Sequence, residues 1–163
     1  MFRIFLLLGS NLDDRVSSLR AAADLIHSDV GGIERVSSIY ESEPWGYTSK
    51  NHFLNQLVIA NTTLSPKSVL GKIHLIENQL GRNRINNGFA DRTIDIDILF
   101  YGNKLVNSRE LAIPHPSIEN RLFALYPLSE LANDFIHPKS QKTIGTLLSE
   151  CTDTTRVVKI AEA

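Results

Sequence analysis

The apolar positions of this chain alternate between unbroken runs and helical stripes. Ile4 to Leu8 is apolar throughout and of strand length, and Gly9-Ser10-Asn11 ends it, which predicts a buried first strand. From Leu12 the period changes. Leu12, Val16, Leu19, Ala23 and Ile26 fall on one helical stripe, with Asn11 or Asp13 as N-cap and Gly31-Gly32 as the break. Ile33 to Tyr40 alternates loosely and reads as a second strand, and Phe53 to Thr62 reads as a third. The loop between them, 43–50, is rich in turn formers and aromatic residues. Ser65-Pro66 then opens a second helix, because serine suits the N-cap and proline the first turn. Its core stripe is Val69, Leu70, Ile73, Ile76 and Leu80, and Gly81 supplies the stop.

A polar loop from Arg82 to Asp91, containing Asn86-Asn87-Gly88, leads into a fourth apolar run, Arg92-Thr93-Ile94-Asp95-Ile96-Asp97-Ile98-Leu99-Phe100. The order to this point is β-α-β-β-α-β. That is the ferredoxin-like α+β pattern, with both helices expected on one face of an antiparallel sheet. The last third holds shorter elements. These are a turn at Tyr101-Gly102-Asn103, a Pro114-His115-Pro116 loop, helical pieces around Leu122 to Leu131 and Thr143 to Ser149, and a last strand at Val157 to Ile160. No linker, repeat or low-complexity segment interrupts the chain, so residues 1–163 read as one domain.

Composition narrows the function. A formal net charge of -1 gives no global field for nucleic acid, so any anion binding is local. The single cysteine, Cys151, excludes an internal disulfide framework and a multi-cysteine zinc site, and a reducing cytoplasm is the expected compartment. A charge followed by an apolar run at residues 2–8 superficially resembles a signal peptide. The run is too short, no small-residue cleavage site follows, and Asp13 and Asp14 come soon after. No stretch reaches transmembrane length, so no membrane partner is expected.

The chemistry concentrates in the fourth strand. Alternate side chains of a strand share a face, so Asp95 and Asp97 point the same way with Cα atoms about 6.5 Å apart. Two ionised carboxylates side by side in an apolar wall repel unless a divalent metal, a shared proton or arginine joins them. Arg82, Arg84 and Arg92 supply guanidiniums nearby, whose planar forks pair phosphate oxygens. Carboxylates for magnesium beside guanidiniums for phosphate are the parts of phosphoryl-type transfer. Each residue also has a plainer reading. A lone Asp-x-Asp is common on half-exposed strands, Arg84 suits a solvated loop, and His115 between two prolines suits a fixed turn. If the His115 loop faces the acidic strand, His115 and Arg121 become phosphate partners. Trp45, Phe53 and Phe123 are either core or platforms for a flat ligand. Asn55, two residues beyond Phe53 on the same strand face, needs partners for a buried amide. Gly9-Ser10-Asn11 is either an anion site at a helix N-terminus or a helix cap. Neither a phosphate-loop motif nor G-x-G-x-x-G occurs, which excludes P-loop and Rossmann enzymes.

These motifs together resemble the 6-hydroxymethyl-7,8-dihydropterin pyrophosphokinase family nearly end to end. The resemblance runs through Gly9-Ser10-Asn11-Leu12, Ser37-Ser38-Ile39-Tyr40, Glu43-Pro44-Trp45-Gly46 and Phe53-Leu54-Asn55. It continues through Glu77, Gly81-Arg82-x-Arg84, Arg92 to Ile98, Tyr101-Gly102-Asn103 and Pro114-His115-Pro116 with Asn120-Arg121-x-Phe123. It implies transfer of pyrophosphate from ATP to the pterin hydroxymethyl group with release of AMP, a step of folate biosynthesis. Asp95 and Asp97 would hold two magnesium ions, and Arg82 and Arg92 would steady charge during transfer. Glu77, Arg84, Ile98, His115 and Arg121 would belong to the ATP site. Ser42, Glu43, Trp45, Phe53, Asn55, Asp95 and Phe123 would receive the pterin. A monomer is the default expectation.

The chain departs from the family pattern in places. Phe89, Ala90 and Asp91 stand where tryptophan, glycine and proline are expected, and Glu110 where a basic ATP contact is expected. Asp91 puts a negative charge beside Arg92, which is expected to weaken its hold on phosphate. Two rival functions fit the same scaffold: a non-catalytic ligand-binding module, or another magnesium-dependent phosphoryl or nucleotidyl transferase. The Asp pair argues against the first. Against a nucleotidyltransferase, Asp-x-Asp follows Gly9-Ser10 by some eighty residues, the wrong distance for that class.

Overall fold

The computed structural model describes residues 1–81 and 91–161. The expectations placed on Arg82, Arg84 and Phe89 lie outside the described residues. In chain order the principal elements are β1 (Phe2–Ser10), α1 (Arg15–Asp29), β2 (Gly32–Val36), β3 (Ile39–Ser42), β4 (Phe53–Thr62), α2 (Pro66–Gln79) and β5 (Asp95–Tyr101). A small hairpin of β6 (Val106–Asn107) and β7 (Ala112–Ile113) follows, then α3 (Leu122–Ala132), α4 (Ile144–Glu150) and β8 (Val157–Ala161).

The main sheet is antiparallel in the order β5-β1-β4-β3-β8, with β2 also paired to β4. The expected second strand is thus two strands on one partner. The break falls at Ser37, whose hydroxyl accepts from Leu57 N at 2.8 Å and donates to Ser38 O at 2.7 Å. A side chain there takes up hydrogen bonds that a continuous ladder would make.

Both faces of the sheet are covered, which is why β1 is an unbroken apolar run. On one face Ile4, Leu6 and Leu8 pack with Leu19, Ala22 and Ile26 of α1 and Val69, Ile73 and Ile76 of α2. On the other, Phe5 and Leu7 pack with Leu125 and Leu128 of α3 and Ile144 and Leu147 of α4. The first two helices share a face as the ferredoxin-like pattern requires, and the last third of the chain forms the second layer.

Two details of α1 differ from the sequence reading. Its N-cap is Asp14, whose carboxylate accepts from Ser17 N, not Asn11 or Asp13. Asp13 has φ 58°, outside the extended range an N-cap takes, and Asn11 is committed to other partners described below. The stripe is also rotated. Val16 is exposed while Leu19, Ala22 and Ile26 are buried, and the helix starts one to three residues later than expected. In α2, Ser65 caps, Pro66 leads and Gly81 adopts φ 90° just past the end, as its sequence predicts. Among the described residues no helix is long and apolar enough to cross a membrane.

Candidate active site

Strand register builds the floor of the site. Gly9 stands opposite Asn55 on β4 and opposite Asp95 on β5, and Leu7 stands opposite Leu57 and Asp97. Asn55, Gly9 and Asp95 therefore form one row across three strands on the α3 face. A Cβ at Gly9 would come within 3.5 Å of the Phe53 ring and 3.6 Å of Asn55 Oδ1, so the missing side chain leaves a trough between amide and carboxylate. Asn55 is buried and its amide is oriented: Nδ2 donates to Ser42 Oγ at 2.8 Å and Tyr40 O at 3.1 Å. That leaves Oδ1 toward the trough.

Two cavities meet at this floor. The first is a slot of about 80 Å³ lined by the rings of Trp45, Phe53 and Phe123 and by the polar residues Ser42, Glu43 and Asn55. The second is wider, about 440 Å³, and is lined by Glu77, Ile98 and His115 among others. Arg92, Asp95, Asp97 and Arg121 line both. Every candidate residue within the described part of the chain thus falls on one of two adjoining cavities. A one-residue slip in β5 would turn both aspartates to the opposite face.

Charges at the junction are arranged in opposition. Arg92 Nη1 lies 3.1 Å from Asp95 Oδ2, a pair that is largely but not wholly buried. The Arg121 guanidinium stacks 4.5 Å from the centroid of Trp45 and 5.6 Å from that of Phe123. Burial pulls the Arg121 pKa down, and the nearby Asp97 and Asp95 oppose that pull. Its Nε is buried and has no hydrogen-bond acceptor among the described residues. His115 is held by β5 and by its own loop: its backbone N–H donates to Leu99 O of β5 at 3.0 Å, and its Nδ1 accepts from Ser117 N at 3.2 Å. Burial, reinforced by Arg121, lowers its pKa to about 4 against the pull of Asp95. The ring is therefore neutral at pH 7, with the proton on Nε2.

Asp95 and Asp97 are the candidate metal ligands, and the donor set suits a hard divalent cation. Among the described residues no group of three or more His, Cys, Asp or Glu side chains is placed to hold a metal. Two carboxylates without a protein cage match magnesium, which keeps waters and takes phosphate oxygens for its remaining positions.

Some contributors were not legible in the sequence. Tyr47 lines the first cavity, and His74, one helical turn before Glu77 on α2, lines the second. Glu110, which the sequence already set at an expected ATP contact, lines the second as well. The His74-x-x-Glu77 spacing on a helix was the available signal for that pair. Gly9-Ser10-Asn11 is neither an anion site at a helix start nor a cap, since α1 begins only at Arg15. Instead Asn11 clasps the entry to β5: its N–H donates to Arg92 O at 3.1 Å and its Oδ1 accepts from Arg92 N at 2.7 Å.

Comparison with known proteins shows the family and the fold. The model of the family described as 7,8-dihydro-6-hydroxymethylpterin-pyrophosphokinase (HPPK) matches residues 5–133. A 2-amino-4-hydroxy-6-hydroxymethyldihydropteridine pyrophosphokinase from Aquifex aeolicus is 37% identical over 152 residues, covering 93% of this chain and 94% of its own. The protein of the same name from Porphyromonas gingivalis is 42% identical over 140 residues, covering 84% and 95%. Among solved structures, a Plasmodium falciparum HPPK-DHPS superposes with a TM-score of 0.77 at 18% identity, a likeness of fold. The superposition covers 91% of this chain but only 43% of that longer one.

Proposed function

The chain belongs to the 7,8-dihydro-6-hydroxymethylpterin-pyrophosphokinase family, and from that premise we propose how its two adjoining cavities divide the reaction. The activity is ATP-dependent transfer of pyrophosphate to the hydroxymethyl group of 6-hydroxymethyl-7,8-dihydropterin, releasing AMP, in folate biosynthesis. The observation that carries the division of labour is the junction. Arg92, Asp95, Asp97 and Arg121 are common to an aromatic-lined slot and a wider polar cavity, so the reacting groups of two substrates meet between them.

The slot takes the pterin. Trp45, Phe53 and Phe123 offer ring faces, and Asn55 Oδ1 accepts from a donor on the heterocycle edge, with Ser42 and Glu43 beside it. The wider cavity takes ATP, with Glu77, Ile98 and His115 in its wall. Neutral His115 donates from Nε2 to a phosphate oxygen without adding charge. Arg92 and Arg121 supply the cationic groups among the described residues, and the resemblance would add Arg82 and Arg84. Asp95 and Asp97 would hold two magnesium ions. Such ions neutralise phosphate charge and lower the pKa of an attacking hydroxyl. The protein's own contribution is chiefly alignment for in-line attack on the β-phosphorus and electrostatic preorganisation. A monomer is the state we propose, and the lone Cys151 thiol suits the cytoplasm.

The test is a product assay with purified protein, ATP, magnesium and the pterin. AMP that forms only when pterin and magnesium are both present is the expected result. Pyrophosphate release would indicate nucleotidyl transfer instead, and ATP binding without turnover a binding module. Asp97→Ala should nearly abolish AMP formation while leaving the circular-dichroism spectrum unchanged; near-normal turnover in that variant removes the metal assignment.

A further inference from the structure

The segment between β3 and β4, residues 43–52, forms one wall of the slot through Glu43, Trp45 and Tyr47. Its far end converges on one carboxylate that no part of the mechanism above uses. Asp91 Oδ1 accepts from Tyr47 OH at 3.1 Å and Asn11 Nδ2 at 2.8 Å. Its Oδ2 accepts from Ser49 Oγ at 3.0 Å and Asn51 Nδ2 at 2.8 Å. Three of those four donors belong to the 43–52 loop. The fourth, Asn11, also donates to Asn51 O at 3.1 Å and clasps Arg92 at both backbone positions. Arg92 in turn reaches Asp95 at 3.1 Å. A continuous line of hydrogen bonds thus runs from the slot wall through Asp91 and Asn11 to the phosphate-side pair.

We propose that Asp91 is a positioning residue, a latch that holds the 43–52 loop against the entry to β5 so that the pterin slot stands preformed beside Arg92. The proposal rests on the reading of that slot as the pterin subsite. Its physical basis is preorganisation. A loop ordered before binding spares the ligand the entropy of ordering it, and an ionised acceptor with four donors is a strong anchor. The latch stays shut at neutral pH. Burial raises the Asp91 pKa, but the hydrogen bonds from Ser49, Asn51, Asn11 and Tyr47 outweigh it and leave the carboxyl below its usual value. Burial and the bond to Asp91 push the Tyr47 phenol up to about 12, so it remains a donor. The charge expected to weaken the hold of Arg92 on phosphate is thereby engaged by the opposite loop.

The experiment compares the parent chain, Asp91→Ala and Asp91→Asn. Affinity for 6-hydroxymethylpterin is measured by calorimetry with a non-hydrolysable ATP analogue present, affinity for the analogue is measured alone, and amide exchange is followed over residues 43–52. Asp91→Ala is expected to weaken pterin binding about tenfold or more and to speed exchange in the loop, while changing analogue affinity less than about twofold. Asp91→Asn should fall between, because its amide oxygen still accepts but its NH2 faces donors. Unchanged exchange overturns the latch. Faster exchange with unchanged pterin affinity overturns its role in positioning, as does an equal loss of both ligands. If the parent binds no pterin, the subsite reading fails, and the exchange comparison by itself then upholds or rejects the latch.

Discussion

His115 shows how one side chain acquires a property that its type does not guarantee. An imidazole of ordinary pKa would be partly charged near pH 6.5, yet burial, aided by Arg121, lowers this one to about 4. Between those two values the unfolded chain binds a proton that the native protein refuses. Stability is therefore fully present above pH 6.5 and falls as the pH drops toward 4. The effect is on the order of a few kcal/mol at most. His115→Asn should flatten that part of the stability-pH curve, read as urea midpoints between pH 4.5 and 7. Some slope should persist, because the buried His137 is lowered in the same sense. An unchanged slope would reject the shift assigned to His115. The same residue-scale logic applies to Asn11, which belongs to a turn by composition but serves as a clasp because Arg92 arrives beside it.

At the scale of elements, the junction of α1 with β2 shows how tightly the helix layer is drawn onto the sheet. Val30 O accepts from Thr62 Oγ1 at 2.6 Å, and a Cβ on Gly31 would lie 2.2 Å from Asn61 O and 2.8 Å from Asn61 C. Backbone atoms within a strand cannot step aside as a flexible side chain can. Gly31→Ala should therefore cost about 1–3 kcal/mol in urea unfolding. Gly32→Ala meets nothing within 4 Å and should leave stability within about 0.5 kcal/mol of the parent. Equal behaviour of the two variants would contradict this account. On the opposite face, Glu130 of α3 accepts from Ser38 N and Ser38 Oγ, each at 2.9 Å, and from Tyr40 OH at 2.5 Å. That carboxylate pins the second helix layer where β2 gives way to β3.

For the whole molecule, the decisive feature is one sheet serving two helix layers. Ile4, Leu6 and Leu8 belong to one core while Phe5 and Leu7 belong to the other, so neither layer can leave without exposing β1. The chain should consequently unfold as a single cooperative unit. Trp45, the one tryptophan, reports the site, and far-ultraviolet circular dichroism reports the helices. Their urea transitions should coincide, and a tryptophan transition at clearly lower urea would show that the slot wall melts by itself. The residues shared by the two cavities hang from β5 and from the start of α3, so this cooperativity also sets the precision of the site.

Much of this was legible without coordinates, because it depends on short-range periodicity. The apolar run of β1, the 3.6-residue stripe and caps of α2, and the alternation that sends Asp95 and Asp97 to one side follow from local geometry. So did the gathering of Ser42, Asn55, His115 and Arg121, through the order and spacing of motifs shared with a family. What the sequence could not contain is partnership at long range. That Gly9 makes a trough depends on Asn55 and Asp95 flanking it in register. That Ser37 divides a strand depends on Leu57 across the ladder. That Asp91 becomes a latch, not a competitor for Arg92, depends on residues 40 or more positions away that only the sheet brings near. Side-chain direction is set by neighbours along the chain. The partner each side chain finds is set by strand register and layer packing, and those are tertiary facts.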